Sequence, residues 1–251
     1  MDMDYITLRK QVIDAGLLKR QYGYYAFKYL TTAAMLSLSI LILIRVENFG
    51  LQLLNSVFLA FVFVQFGLLM HDADHQQIFN SRLMNELAGV LAGNLVVNIS
   101  SGGWTEKHNK HHSTPNLEGH DEDIDVPIMA YSEEQAMKKK WLARLIVKHQ
   151  AYFWLFIITL TAYTLRFGML KKLVRSISKK SWKMQVLELL TLLTSALVFF
   201  GLIFHTLGLA KGVVFVVVNF AISGFYFGTI FAPNHKGMPI LKEQYDFMSM
   251  Q

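Results

Sequence analysis

Four apolar runs constrain this chain more than any other feature. Residues 25–44, 51–70, 189–209 and 212–231 each match the ~20 helical residues needed to cross a hydrocarbon core of ~30 Å. Composition agrees: 53% of the 251 residues are hydrophobic and only 17% charged, where a soluble domain carries roughly a quarter charged. Such a chain is solvated partly by lipid, and a disordered chain is excluded. It has no cysteine, which rules out a disulfide framework, an iron–sulfur cluster, a zinc ribbon and a thiol nucleophile. Any metal must be held by histidine, carboxylate or backbone. The net charge is +6, yet the basic residues flank the apolar runs and form no aromatic-interleaved patch. They suit membrane headgroups and not nucleic acid.

The first two runs are separated only by residues 45–50 and the last two only by Ala210 and Lys211. Each pair therefore reads as a helical hairpin, with both turns on one membrane face. Lysines and arginines gather on the other side: Arg9, Lys10, Lys19 and Arg20 before the first run, Lys138–Lys140, Arg144 and Lys148 in the middle, and Lys171–Lys183 before the third run. The turns hold only Arg45 and Lys211. The positive-inside rule places the middle segment in the cytoplasm. A fifth apolar stretch, 152–167, would throw the basic 171–183 stretch outside if it crossed, so we read it as an interfacial or re-entrant helix. Residues 83–99, interrupted by Gly89, Gly93, Asn94 and Asn98, form a second interfacial candidate. Residues 1–23 are mixed and amphipathic and do not read as a cleavable signal. The expected fold is an all-α membrane protein: four transmembrane helices in two hairpins, interfacial helices and a cytoplasmic metal-binding cap.

Nine histidines are present, and their placement is patterned. His71 and His75 follow the second run as His-Asp-Ala-Asp-His. On a helix, positions i and i+4 share a face, so about one further turn of that helix presents two imidazoles together. His108, His111 and His112 stand as His-Asn-Lys-His-His, again on one helical face. Gly102-Gly103 is expected to break the preceding structure, Trp104 to open a short helix, and Thr114-Pro115 to close it. His235, just past the fourth run, returns to the same face. A lone HxxxH is more often surface or capping histidines than a metal site; both motifs in one chain, on one predicted face, make coincidence a poor explanation. Imidazole suits Zn, Cu, Fe and Ni alike, but these histidines exceed what one tetrahedral zinc requires. A two-metal centre fits better. His120 in the acidic loop, His149 in a basic stretch and His205 toward the outer end of the third run are set aside. The loop acids Asp121, Glu122, Asp123 and Asp125 lack EF-hand spacing and read as a solvated face. Some of them, with Asp72 and Asp74, are candidates to accept the second ring N–H of a metal-bound imidazole.

These residues resemble the membrane fatty acid desaturase family, whose hallmark is three histidine boxes, HxxxH, HxxHH and a final [HQ]xxHH. His71–His75 is similar to the first and His108–His112 to the second. The flanking His-His-Ser-Thr-Pro-Asn-Leu-Glu-Gly, Asp-Ile-Asp-Val-Pro and Phe-Ala-Pro-Asn-His-Lys-Gly-Met-Pro are similar to acyl-lipid and linoleoyl-CoA-like members. The resemblance implies one desaturase domain over residues 1–251 and a centre of two iron ions held by His71, His75, His108, His111, His112 and His235. It implies O₂ as co-substrate, an acyl-lipid or acyl-CoA substrate, and electrons from a ferredoxin or a cytochrome b5. The implied location is a membrane, bacterial inner membrane rather than endoplasmic reticulum. No histidine follows His235, so the expectation is a chain truncated before the third box, incomplete at the metals and inactive alone.

Three other readings stay open at this point. The same boxes serve di-iron hydroxylases and other oxygenases. A histidine-rich metal transporter would place its ionisable groups near the bilayer midplane, and these gather at one interface. A non-catalytic metal-binding remnant is the third.

Overall fold

The structure is a computed structural model that describes residues 5–175, 182–231 and 239–242. Its helices are α1 (Tyr5–Asp14), α2 (Tyr22–Arg45), α3 (Phe49–Asp74), α4 (Arg82–Gly89), a π-helical segment (Val90–Val97), α5 (Ser101–Ser113), α6 (Glu133–Lys138), α7 (Trp141–Lys148), α8 (Gln150–Thr159), α9 (Thr161–Arg175) and α10 (Trp182–Phe231). Among the described residues, extended pairing is confined to an isolated bridge between Leu117 and Leu241.

α2, α3 and α10 are long and apolar enough to span a bilayer, and two bent helix pairs raise the number of candidates to five. α10 is itself two helical limbs, bent at Gly208 (φ 72°, ψ 173°), a backbone region essentially reserved for glycine. The sequence had suggested a turn at Ala210-Lys211; the glycine takes it two residues earlier, because no side chain opposes that conformation. Beyond it the second limb folds back on the first, with the Phe199 and Phe220 rings stacked at 6.1 Å.

α3 is the central element. Within its apolar window 67% of residues are buried, against 17% for α2 and 22% for α10. Hydropathy does not separate the three; buried polar side chains do. Gln52 donates to the carbonyls of Ile42, Leu43 and Val46, meeting acceptors at the end of α2, where helix carbonyls lack intrahelical partners. Asn55 exchanges hydrogen bonds with Ser39. Ser56 donates to the Phe215 carbonyl at 2.7 Å, and Asn219 donates to the Ser56 carbonyl at 3.1 Å. In lipid, such polar contacts and close packing hold helices together, since apolar surface alone has no preference for protein over acyl chain.

Both hairpin turns lie at one end, where the Lys211 ammonium sits 5.8 Å from the Phe49 ring. The 26 residues of α3 carry the chain ~39 Å to the other end. The expected interfacial segments behave differently from one another. α4 exposes Leu83, Met84 and Leu87, whereas Val90, Ala92, Asn94 and Val97 of the π-helical segment are buried. That segment does not lie flat on a surface, because Asn94 and Asn98 bond into α10 at Glu188 and Leu192. α8 and α9 meet at a 61° bend, and a Cβ on Gly224 of α10 would collide with the Thr159 carbonyl there.

Gly103 of α5 is pressed equally hard against the Met169 carbonyl of α9. Gly103→Ala and Gly224→Ala are each expected to destabilise the protein by ~3 kcal/mol. Gly201→Ala, where a Cβ meets nothing within 4 Å, is expected to leave the thermal midpoint in detergent unchanged or slightly raised. A parent-like midpoint for the first two would show that these helices do not pack as closely as described.

Candidate metal centre

The site is built where two helix ends meet. α3 outruns its apolar part by one turn and stops at His75. The Gln77 N–H bonds to the Asp72 carbonyl and the Gln76 N–H to the Ala73 carbonyl, the paired closure of a Schellman motif. Gln76 stands at the left-handed position that glycine usually takes, with φ 58°. This closure leaves His71 and His75 on one face, their rings 4.5 Å apart.

α5 carries three further imidazoles, His108, His111 and His112. It begins earlier than the Gly-Gly pair suggested: Ser100 caps it, accepting from the Gly103 N–H at 2.9 Å, and the chain break falls at Asn98, which is left-handed (φ 62°). Gly102 and Gly103 lie within the first turn, and Gly103 permits close approach to the Met169 carbonyl of α9. Glu188, 1% exposed on the first limb of α10, accepts from the Gly102 N–H at 3.0 Å and the Ser100 hydroxyl at 2.9 Å. A carboxylate at a helix N-terminus satisfies orphan N–H groups and complements the helix dipole. Ser101 donates from its backbone to Asn94 and from its hydroxyl to Asp74 at the end of α3. The two histidine helices are thereby tied together. Thr114 closes α5, as the sequence had indicated.

With the helices so held, the imidazole nitrogens converge. His108 Nε2 lies 2.9 Å from His75 Nε2, 3.1 Å from His71 Nε2 and 3.1 Å from His112 Nε2. A ring nitrogen has either one N–H or one lone pair, so three such contacts cannot all be hydrogen bonds. A shared cation would resolve the crowding: nitrogens bound at ~2.1 Å stand roughly 3.0–3.4 Å apart for angles of about 90–109° at the metal. His71, His75 and His108 each offer a nitrogen within 4.8 Å of the others. Burial, reinforced by the surrounding imidazoles, pushes His108 down to about 2 and lowers His75 and His112. All three are neutral at physiological pH, the form that binds a metal. The Trp104 indole stacks on His108 at 4.9 Å and Phe231 meets Trp104 at 5.5 Å, which gives the cluster an apolar floor.

The acidic loop corrects the solvated-face reading. Asp121 is fully buried, lies 2.9 Å from His111 Nδ1 and accepts from the backbone N–H groups of Asn116 and Asp123. Burial opposes its charge, but these three donors together hold its carboxyl below the usual range. The same hydrogen bond raises His111. Glu122 pairs with Lys172 at 2.7 Å and Asp123 with Lys107, so the loop is a lid folded over α5. Leu241 fastens it from the far side, bonding to Asn116 and Glu118. His111, Asp121 and Asp123 form a second group with convergent ligand atoms. His235 lies outside the described residues. His120, His149 and His205 are exposed and away from the cluster. Sequence reasoning missed Glu188 and Trp104; an acid at the edge of an apolar run was the available signal for the first.

The closure at Gln76 generates a prediction. Gln76→Gly should lie within ~1 kcal/mol of the parent, since glycine suits the left-handed position. Gln76→Val should cost ~2 kcal/mol, because a β-branched residue resists that conformation, and should lower metal content. Thermal unfolding with metal analysis checks both, and an unaffected Gln76→Val would argue against this helix ending.

The family model described as fatty acid desaturase matches residues 49–249. The chain is 30% identical to an acyl-lipid (9-3)-desaturase of Physcomitrium patens, over 99% of this chain and 48% of the relative. It is 32% identical to a delta(8)-fatty-acid desaturase of Euglena gracilis, over 64% of this chain and 38% of the relative, and 31% identical to a delta(6)-fatty-acid desaturase of Caenorhabditis elegans, over 53% and 29%. The chain thus spans about half the length of the moss relative and less of the other two. No solved structure matches it. With four-fifths of its residues under that model and its histidines drawn together at two helix ends, the chain belongs to the fatty acid desaturase family.

Proposed function

We propose that the protein introduces a C=C bond into a fatty acyl chain at a di-iron centre. The observation that carries this is the convergence of His71, His75 and His108, with His108 Nε2 2.9 Å from His75, 3.1 Å from His71 and 3.1 Å from His112, which adjoins the group through His108. His111 is the fifth ligand, its ring set by Asp121. His235 is the sixth. Its described neighbours on either side support that assignment: Phe231 lies against Trp104, which stacks on His108, and Leu241 is bonded to the loop that holds Asp121.

The reaction requires more than side-chain acid–base chemistry, because an alkyl C–H has no useful acidity. Iron bound there, with O₂, supplies the oxidising power. Two hydrogens leave adjacent carbons, and with O₂, two electrons and two protons they end as two waters. This chain's own part is to keep His75, His108 and His112 neutral by burial and to aim the imidazoles, through Glu188 at the head of α5 and Asp121 at its tail. Trp104 stacks on His108 and Phe231 lies against Trp104, so the acyl chain is positioned on the apolar side of the cluster that these rings mark. The substrate is an acyl-lipid or acyl-CoA, and a ferredoxin or cytochrome b5 delivers the electrons. The names of the moss, Euglena and nematode relatives support the acyl substrate.

In the membrane we assign four spans: α2, α3 and the two limbs of α10, with α8–α9 re-entrant. The histidine cluster faces the cytoplasm, in line with the positive charge of the loops beside it.

Metal analysis of protein purified from iron-replete cells tests the centre. Iron is expected, and His108→Ala should remove most of it; zinc or copper at stoichiometry with no iron would overturn the reading. Product analysis separates desaturation, a loss of two hydrogens, from hydroxylation, a gain of one oxygen. Asp121→Asn should weaken iron binding ~10-fold through His111 while leaving the helices intact by circular dichroism. Unchanged affinity would remove Asp121 from the account.

A further inference from the structure

α2 sends most of its residues outward, but its buried positions Tyr25, Thr32, Ser39 and Leu43 form one stripe along α3. Tyr25, at the head of that stripe, is 8% exposed. Its hydroxyl lies 3.3 Å from Asp72 Oδ2 and 3.4 Å from Gln77 Oε1. The other oxygen of Asp72 faces His71 Nδ1 at 3.4 Å, and the opposite nitrogen of that ring is the one that meets His108. The preceding residues grip the same turn. Arg20 donates to the Gln76 carbonyl and to Asn80 Oδ1, and the Tyr22 and Phe79 rings lie 6.3 Å apart. Residues 20–25 thus hold the stretch that closes α3 around its histidine pair. They also precede the residues that the family model covers, 49–249.

An imidazole turns about its ring bond unless its second nitrogen is held. A carboxylate that accepts from Nδ1–H fixes both the ring plane and the tautomer, leaving the Nε2 lone pair for a metal. Asp72 is half-exposed, so water competes for it, and it can hold His71 only if its own rotation is stopped. Tyr25 stops it by donating to the oxygen that His71 does not use.

We propose that Tyr25 is a positioning residue for the metal centre, orienting His71 through Asp72. The proposal rests on the reading of His71 as a ligand. Its test is a titration of the metal-free full chain in detergent with Co²⁺, following the visible d–d bands. Tyr25→Phe, which removes one oxygen, should weaken binding ~10-fold and shift the bands. Asp72→Asn should do at least as much. The double variant should be no worse than Asp72→Asn, since groups in series share one effect. Tyr24→Phe, at an exposed neighbour, should match the parent.

Parent-like binding and bands in Tyr25→Phe would overturn the proposal, as would strictly additive losses in the double variant. Should Tyr25→Phe not fold, Asp72→Asn still decides, because an unshifted spectrum there removes the link to His71. If the parent takes up no Co²⁺, or His71→Ala binds it equally well, the metal-centre reading falls with this one. Failure confined to the Tyr25 and Asp72 variants leaves that reading standing.

Discussion

The seating of α3 in the middle of the bundle is the constraint on which the rest depends. A helix surrounded by other helices in lipid gains little from apolar contact alone, so its place is set by groups with a definite partner. Gln52, Asn55 and Ser56 supply these on one half of α3, toward α2 and the second limb of α10. Gly67 admits the Phe227 ring on the other half. Because a helix is stiff, fixing its body fixes its tip ~39 Å away from the turn. The tip carries His71 and His75, and every histidine contact inherits its geometry from that placement.

The second histidine helix is short and could not hold its direction unaided, since a helix of 13 residues is marginal without tertiary support. Its support is polar at both ends. Glu188 and Ser100 meet the N-terminal amides, and Asp121 meets His111 near the C-terminus. Between them, Gly103 lets the backbone sit on α9. The same burial that packs His75, His108 and His112 lowers their affinity for protons, so packing and ligand chemistry have one origin at these three rings.

Much of this was legible from spacing. The apolar runs 25–44 and 51–70 lie inside α2 and α3, because twenty unbroken apolar residues have few alternatives. The extra turn carrying His75 and the stop at Thr114 followed from helix periodicity and termination rules. Other features were misread for local reasons. The Gly-Gly pair looked like a break, but both glycines lie inside α5, Gly103 against α9 and Gly102 donating its N–H to Glu188. The acidic loop looked solvated because its composition is polar; Asp121 is buried because His111 and two amides await it. In 83–99, Asn94 and Asn98 mark bonds to α10, while Gly89 and Gly93 mark close approach to Ser101 and Met70.

The sequence by itself determined an all-helical, lipid-facing chain with imidazoles at helical spacing, since periodicity and length are local properties. Only the tertiary structure decided which helix is central, which acid caps α5, and that tyrosine, aspartate and histidine from two helices line up at one end. Those outcomes rest on contacts far apart in the chain, 47 positions for Tyr25 and Asp72, 86 for Gly102 and Glu188 and 159 for Ser56 and Phe215, and no local pattern records which distant group will satisfy a buried donor or charge.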